Sequence, residues 1–477
     1  MNPAEFAIQN RLISFIVVAF AVVSGWAAYQ NMPRFEDPEF TIRIAQVFTQ
    51  YPGASPDEVA NEVTEQLETA IQQMQEVDVI TSVSSAGLSE ISVEIKYEFS
   101  RSKSDLQGIW TKLRNKVNDA QSSLPPGAGP SIVNDDFGDV YGLYYLLTGD
   151  GYSPAELRDY AKALRKDLLL VDGVGKVSIA GEQQEFIYVE VSRERAAALG
   201  VAINNLYQAL SQQNAIVASG SVRVGDHRLV IHPTGEIHSV EAIENLLVST
   251  AGGGVVYLRD IADVTREYQA PATFLIRYNG EPALAIGISN VTGANVVKMG
   301  AAIDAKLAEV ESLRPLGMTL HEFYHQGKVV DASVKNFAVN VAMALVIVLV
   351  TLLIFMGPRS GLVIGLVLLL TIAATLGTMY AVGVPMHRIS LGALIIALGM
   401  LVDNAIVVTE GIFVGVQQGR RKLEIAKEIV DRTKWPLLGG TLVGIIAFAP
   451  IGFAPGATAE FTGDLFRVIL ISLSFSW

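Results

Sequence analysis

Half of the 477 residues are hydrophobic and 17% are charged, with a formal net charge of -13 and no cysteine. The acidic balance argues against a nucleic-acid partner, and the lack of cysteine excludes disulfides, zinc–thiolate sites and thiol catalysis. Long apolar runs sit at the two ends of the chain, so the mean hydropathy of +0.37 averages a membrane part with an ordinary globular middle.

Leu12 to Tyr29 is the first apolar run, preceded by Arg11. Its Trp26-Ala27-Ala28 exit is a poor cleavage site, which favours an uncleaved anchor helix over a signal peptide. From Gln30 to about Lys335 the chain is soluble in character and carries an internal repeat. Ser55-Pro56-Asp57-Glu58-Val59 recurs as Ser153-Pro154-Ala155-Glu156-Leu157, each a helix start with Ser as N-cap, Pro at the first helical position and Glu closing a capping box. Downstream, Val83-Ser84-Ser85-Ala86-Gly87 is matched by Val177-Ser178-Ile179-Ala180-Gly181, and Val93-Glu94-Ile95 by Val189-Glu190-Val191. Each copy then ends in a helical pattern, Asp105 to Ser123 and Ala196 to Gln212. This is the order of a split βαβ, ferredoxin-like unit, so the fold class expected is membrane α+β with repeated ferredoxin-like lobes.

Leu124 to Pro130 reads as a linker, Ser221 to Ile231 as a hairpin centred on Gly225-Asp226, and Gly252-Gly253-Gly254 as a break before a strand at Val255 to Leu258. Strand pattern surrounds Asn279-Gly280, an amphipathic helix follows over Val296 to Glu311, and Met318 to His325 is a last strand. Four further apolar runs cover Phe337 to Phe355, Gly361 to Val382, Ile389 to Val408 and Trp435 to Phe453, and Leu465 to Trp477 begins another too short to cross. About 20 residues at ~1.5 Å rise span the ~30 Å hydrocarbon core. Arg359 and the basic cluster Arg420, Arg421, Lys422, Lys427, Arg432 and Lys434 follow the second and fourth spans, whereas Pro455 to Asp464 is acidic. These charges orient the chain with basic loops inside and the soluble middle outside, which in a bacterium is the periplasm.

One acid, Asp403, lies within the Ile389–Val408 run, and no charged residue intervenes before Glu410. An ionised carboxylate costs about 3 kcal/mol there on insertion scales, so such an acid is expected to face the bundle and to handle ions or protons. Asn404 beside it can donate to the carboxylate or accept its proton. Glu410, two turns on, reads as an interfacial acid, and Gly440 and Gly444 are spaced for close helix contact.

Competing chemistry fits less well. His321-Glu322-Phe323-Tyr324-His325 spells a zinc-peptidase string, which needs both histidines on one helical face; on the expected strand they stand ~13 Å apart. Intramembrane aspartyl proteolysis wants two acids where the spans hold one. Gly173-Val174-Gly175-Lys176 lacks the spacing of a phosphate-binding loop, so ATP is not the expected energy source.

A long helix, a duplicated external insert and the string Gly399-Met400-Leu401-Val402-Asp403-Asn404-Ala405-Ile406-Val407-Val408 together resemble the amino-terminal half of a resistance-nodulation-division efflux pump, over the whole chain. The resemblance implies a homotrimeric, proton-driven exporter of the bacterial inner membrane that works with a periplasmic adaptor and an outer-membrane channel. It implies a first helix over 1–29, a first porter lobe over 30–130, a second over 131–181 and 268–328, a docking domain over 182–267, and the remaining membrane helices over 329–477. Proton uptake and release fall on Asp403, with Asn404 where many drug exporters carry a second Asp. The lysine and arginine that answer the acid belong to the carboxy-terminal half, which is missing here. The energy source implied is the proton gradient, with no cofactor and no metal. Metal-exporting relatives carry an acid where this chain has Ala397, and methionine is scarce in the lobes, so amphiphilic organic substrates are favoured. Tyr141, Tyr144 and Tyr145 are candidates to line a substrate pocket, or equally to be core. Ala180 stands where drug exporters often place Phe, and the hairpin at Gly225 is shorter than the family's intersubunit arm. A truncated non-transporting fragment and a metal-ion exporter of the same family are the alternatives.

Overall fold

The computed structural model describes residues 3–477 except 39, 102, 137–139, 214–220, 226, 231–238 and 273. Five helices are long and apolar enough to cross a membrane: Arg11–Asn31, the Gln326–Thr351 part of Gln326–Met356, Pro358–Ala381, Arg388–Gln417 and Lys422–Phe453. Ala457–Ser476 forms a further helix, starting earlier than the apolar run at Leu465 because Ala457 to Asp464 joins it in helical conformation. These helices share one core that includes Met32, Ile364, Leu368, Leu394, Ala397 and Leu401. The backbones of Arg11–Asn31 and Pro358–Ala381 come close together: a Cβ on Gly25 would lie 2.6 Å from the Ala373 carbonyl oxygen, and one on Gly377 2.7 Å from Ser24 Oγ. Of the glycines expected at a contact, Gly444 meets Leu473 and Gly440 meets nothing within 4 Å.

Two four-stranded antiparallel sheets make up most of the soluble region. The first takes Ile44–Gln50, Val77–Ser85, Leu88–Ile95 and Ile132–Asn134, in the spatial order second, third, first, fourth. Its helices, Glu65–Gln72 and Lys103–Ala120, cover one face with Leu67, Ile71, Trp110 and Leu113. Val133 pairs with Val47, so this sheet continues past the expected boundary at Pro130. The second sheet has the same order, built from Leu143–Gly149, Val174–Ala180, Leu284–Asn290 and Met318–His325. Pro154–Leu168 and Val296–Val310 cover it. Both Ser-Pro-x-Glu strings start helices with complete capping boxes, Ser55 with Glu58 and Ser153 with Glu156.

The repeat breaks at one point. Glu185–Val191, read from sequence as the third strand of the second copy, instead pairs with Ala262–Tyr268 in a sheet of its own. Leu284–Asn290 takes the third place, with Ala285 opposite Ala180 on one side and Leu147 opposite Leu284 on the other. The reason is burial: a strand between two others under helices loses solvent on both faces. Leu284-Ala285-Ile286-Gly287-Ile288 is buried throughout, whereas Glu185–Val191 bears a glutamate near each end and is largely accessible. The intervening residues, with the helices Arg193–Ala198 and Ile203–Gln213, have a separate core around Val248, Leu258 and Ile261. The hairpin expected near Gly225 pairs Ser221–Val224 with His227–Val230, while Asp226 and Ile231 lie outside the described residues. Asn279 and Gly280 both have positive φ, as a two-residue hairpin turn between Arg277–Tyr278 and Glu281–Pro282 requires.

Candidate functional site

Asp403 and Asn404 are adjacent on Arg388–Gln417, about 100° apart around the axis. Asn404 turns toward the neighbouring helices, and its Nδ2 donates to Thr441 Oγ1 at 3.3 Å and to Ser476 Oγ at 3.1 Å. Ser476 Oγ in turn donates to the Leu401 carbonyl at 2.9 Å. Asp403 points the other way and is exposed, and among the described residues nothing bonds its carboxylate. The sequence reading expects this acid inside the bundle. Within this chain Lys422–Phe453 and Ala457–Ser476 cover the Leu401 and Asn404 side of the helix and leave the Asp403 side uncovered.

The uncovered side is a regular stripe. Ile396, Gly399, Asp403, Val407, Glu410 and Val414 are all exposed and recur at intervals of three and four residues, the spacing of one helical face. A single acid lies at its centre and Glu410 lies two turns further on. Leu394, Ala397, Leu398 and Leu401, on the opposite side, are buried.

The start of the same helix is tied to the soluble region. His387 is its N-cap: Nδ1 accepts from Ser390 N at 3.2 Å while Nε2 lies 3.0 Å from Asp464 Oδ2. Arg388 pairs with Glu36 at 2.6 Å, and Glu36 also accepts from the Tyr324 hydroxyl. Burial, then the Glu36 hydrogen bond, pushes that hydroxyl up to about 12. Backbone bonds from Phe35 to Met386 and from Met386 to Pro33, each 3.0 Å, lay the exit of the first helix against this start. Arg43, buried in the first lobe, pairs with Glu460, whose Oε2 also accepts from Thr41 N at 3.1 Å. A cavity of about 410 Å³ lies at this junction, lined among others by Pro33, Thr41, His387, Glu460, Asp464 and Arg467.

The three candidate tyrosines do not form one lining. Tyr145 is 3% exposed in the core of the second sheet, and its hydroxyl is without a hydrogen bond among the described residues. Tyr144 faces the opposite side and meets Phe323 edge-on at 5.9 Å between centroids. Tyr141 joins Tyr144 on that outer face: its ring lies over Gly287, where a Cβ would come within 2.8 Å, and its hydroxyl donates to Ser178 Oγ at 2.8 Å. Tyr141, Tyr144 and the exposed Phe323 thus form an aromatic patch, with Tyr145 beneath.

Met318–His325 is a strand, as expected, with a bulge at Phe323: Glu322 is opposite Tyr145, and Tyr324 and His325 are opposite Tyr144 and Leu143. The extra residue reverses the alternation, so His321 stacks on Tyr278 on one face while His325 enters the other. Asp304, Glu322 and His325 each bring one ligand atom within 4.8 Å of the others. Lys328 Nζ already lies 2.5 Å from Glu322, and His325 Nδ1 is committed to Lys328 N, so the group reads as an ion-pair network around the start of Gln326–Met356.

Residues 3–477 match the AcrB/AcrD/AcrF family. The chain belongs to this family, within the resistance-nodulation-division group. Its relatives include the proteins named Multidrug resistance protein MdtC of Escherichia coli O139:H28, of Escherichia coli strain SE11 and of Enterobacter sp. strain 638, each 28% identical over 477 residues. The match takes in 98% of this chain and 46% of each relative, so the chain spans about half the length of the curated relatives it matches.

Membership of the AcrB/AcrD/AcrF family and five apolar helices identify a multi-pass membrane protein. Sequence reasoning singled out Asp403 and Asn404 in this family's string but missed Thr441, Ser476, Arg43, Glu460 and His387. Their partners lie up to 419 residues away, as between Glu460 and Thr41. The available signal was a polar side chain at or within an apolar run, which Thr441 and Ser476 supply.

Proposed function

We propose that this chain is the part of a proton-driven exporter of amphiphilic organic compounds in which Asp403 takes up and releases the proton. The observation that carries this reading is the exposed Asp403 carboxylate at the centre of an uncovered stripe that is otherwise apolar as far as Glu410, on a membrane helix whose outer end is bonded to the first lobe through Arg388 and Glu36 and, through Glu36 and Tyr324, linked to the second. An ionised acid in that setting favours a cationic partner and a neutral one favours hydrocarbon, so each protonation state selects a different packing of the stripe. The Arg388–Glu36 pair and the backbone bonds of the Pro33–Phe35 segment provide the route by which a shift of this helix reaches the lobes. The stripe's partner would come from the part of the exporter outside this chain, which also explains why Asp403 is uncovered here.

The name of the MdtC relatives supports organic rather than metal cargo. The repeated strand order supports a ferredoxin-like reading of both lobes, on the periplasmic side of an inner membrane, with residues 182–267 as a docking domain toward an outer-membrane channel. A homotrimer working with a periplasmic adaptor follows from the same family reading. Tyr141, Tyr144 and Phe323 are the residues of the second lobe best placed to meet an amphiphile. Asp403→Asn in a complete pump is expected to abolish export of a fluorescent amphiphilic dye at wild-type expression; export at the wild-type rate would overturn the assignment.

A further inference from the structure

His387 is a buried imidazole that the transport reading leaves without a task. Its side chain is fully enclosed, yet it borders the junction cavity, which connects it to solvent. Both ring nitrogens are engaged in opposite senses. Nδ1 accepts from Ser390 N, so it carries no proton, and Nε2 carries the proton that faces Asp464 Oδ2. Ser390 Oγ accepts from His387 N at 2.9 Å and completes the box. The arrangement therefore requires a neutral ring.

A second proton cannot be added without loss. It would come from water of the cavity and end on Nδ1, leaving N–H on both nitrogens and the Ser390 N–H without its acceptor. A cation would also sit at the positive end of the helix dipole. Against this, Asp464 favours the cation. Among the described residues that line the cavity with it, the other charged groups are Glu460 and Arg467, both from Ala457–Ser476, with Arg467 Nη1 3.1 Å from Asp464 Oδ1. Arg388 and Glu36 pair with each other next to it. The segments Thr292–Gly293 and Gly383–Pro385 contribute no charged side chain to the cavity wall.

We infer that His387 is a positioning residue for the Asp403 helix: neutral, it caps the helix, and protonated from the outer side it releases the cap, so that external acidity loosens the start of the helix that carries the transported proton. This rests on the transport reading, and its test separates the two. Asn is as good an N-cap as any residue but takes no proton, so His387→Asn keeps the cap and removes the titration.

In a complete pump, wild type and His387→Asn should export equally at about pH 8 outside, and at about pH 5.5, below the ordinary histidine range, the variant should fall behind by several-fold. Hydrogen exchange of residues 388–394 in this chain in detergent gives a readout independent of transport. On passing from about pH 8 to about pH 5.5, the wild type should lose about fivefold in protection relative to His387→Asn, the worth of one ordinary cap. Identical pH profiles of export and protection in the two proteins would overturn the inference, as would loss of export by His387→Asn at both pH values. If Asp403→Asn exports normally, the transport reading fails first, and the exchange experiment still decides the titrating cap.

Discussion

Asp403 and Asn404 show how one residue step on a helix separates two tasks. The amide is held by Thr441 and Ser476 and ties three helices together, while the acid beside it is exposed and has no bonding partner among the described residues. Interhelical hydrogen bonds of this kind contribute about 0.6 kcal/mol on average, enough to set orientation without locking the bundle. Tyr145 illustrates the opposite case, a buried hydroxyl with no bond made among the described residues. Its pKa is raised by burial first and by Asp304 and Glu322 after that. An unmade buried donor costs about 1–3 kcal/mol, so Tyr145→Phe should leave the thermal midpoint of the chain unchanged or raise it. A clear drop in a detergent melting curve would show that the hydroxyl is bonded after all.

The two Ser-Pro-x-Glu helix starts were legible because a capping box is local: Ser, Pro and Glu at fixed offsets satisfy the first N–H groups whatever surrounds them. Glu156 is held below its ordinary value of 4.5 by the backbone N–H of Ser153, then by the Ser153 hydroxyl. For an acid lowered in the folded state, the stabilisation is complete above the ordinary value and fades as pH falls through the lowered one. Wild type should accordingly melt above Glu156→Gln at neutral pH, and the gap should close on acidification below about pH 4. A gap independent of pH would assign the effect to something other than the ionised cap.

Strand identity was legible for Met318–His325 and strand partnership was not. Glu185–Val191 and Leu284–Asn290 both carry strand pattern, and only pairing across about a hundred residues decides which joins the second sheet. The bulge at Phe323 was equally hidden, since alternation along one strand says nothing of an extra residue opposite a neighbour. Asp403 could be recognised from sequence because charge is rare in an apolar run. The side of the helix it faces is decided by the two helices that follow it, which hold Asn404 through Thr441 and Ser476, 37 and 72 residues on, and that packing was not legible.

At the scale of the molecule, lobes and membrane helices are joined by charged pairs sheltered from water. Arg43 is 8% exposed and Glu460 19%, and the guanidinium is further held by Ser100. Breaking such a pair from one side leaves the other charge stranded. Arg43→Met should destabilise the chain by about 3 kcal/mol, and adding Glu460→Leu should recover most of the loss. A double variant as unstable as the single would mean that the pair matters for its shape rather than its charge.

The place where the second sheet is interrupted has a consequence of its own. Ala180 and Ala285 stand opposite each other on adjacent strands, so everything between them leaves and re-enters through an opening one residue pair wide. A two-residue turn would bridge that opening, and lengthening the excursion adds only about 0.6 kcal/mol of closure entropy per doubling. The excursion can thus be resized or exchanged between relatives while the strands on either side keep their alignment.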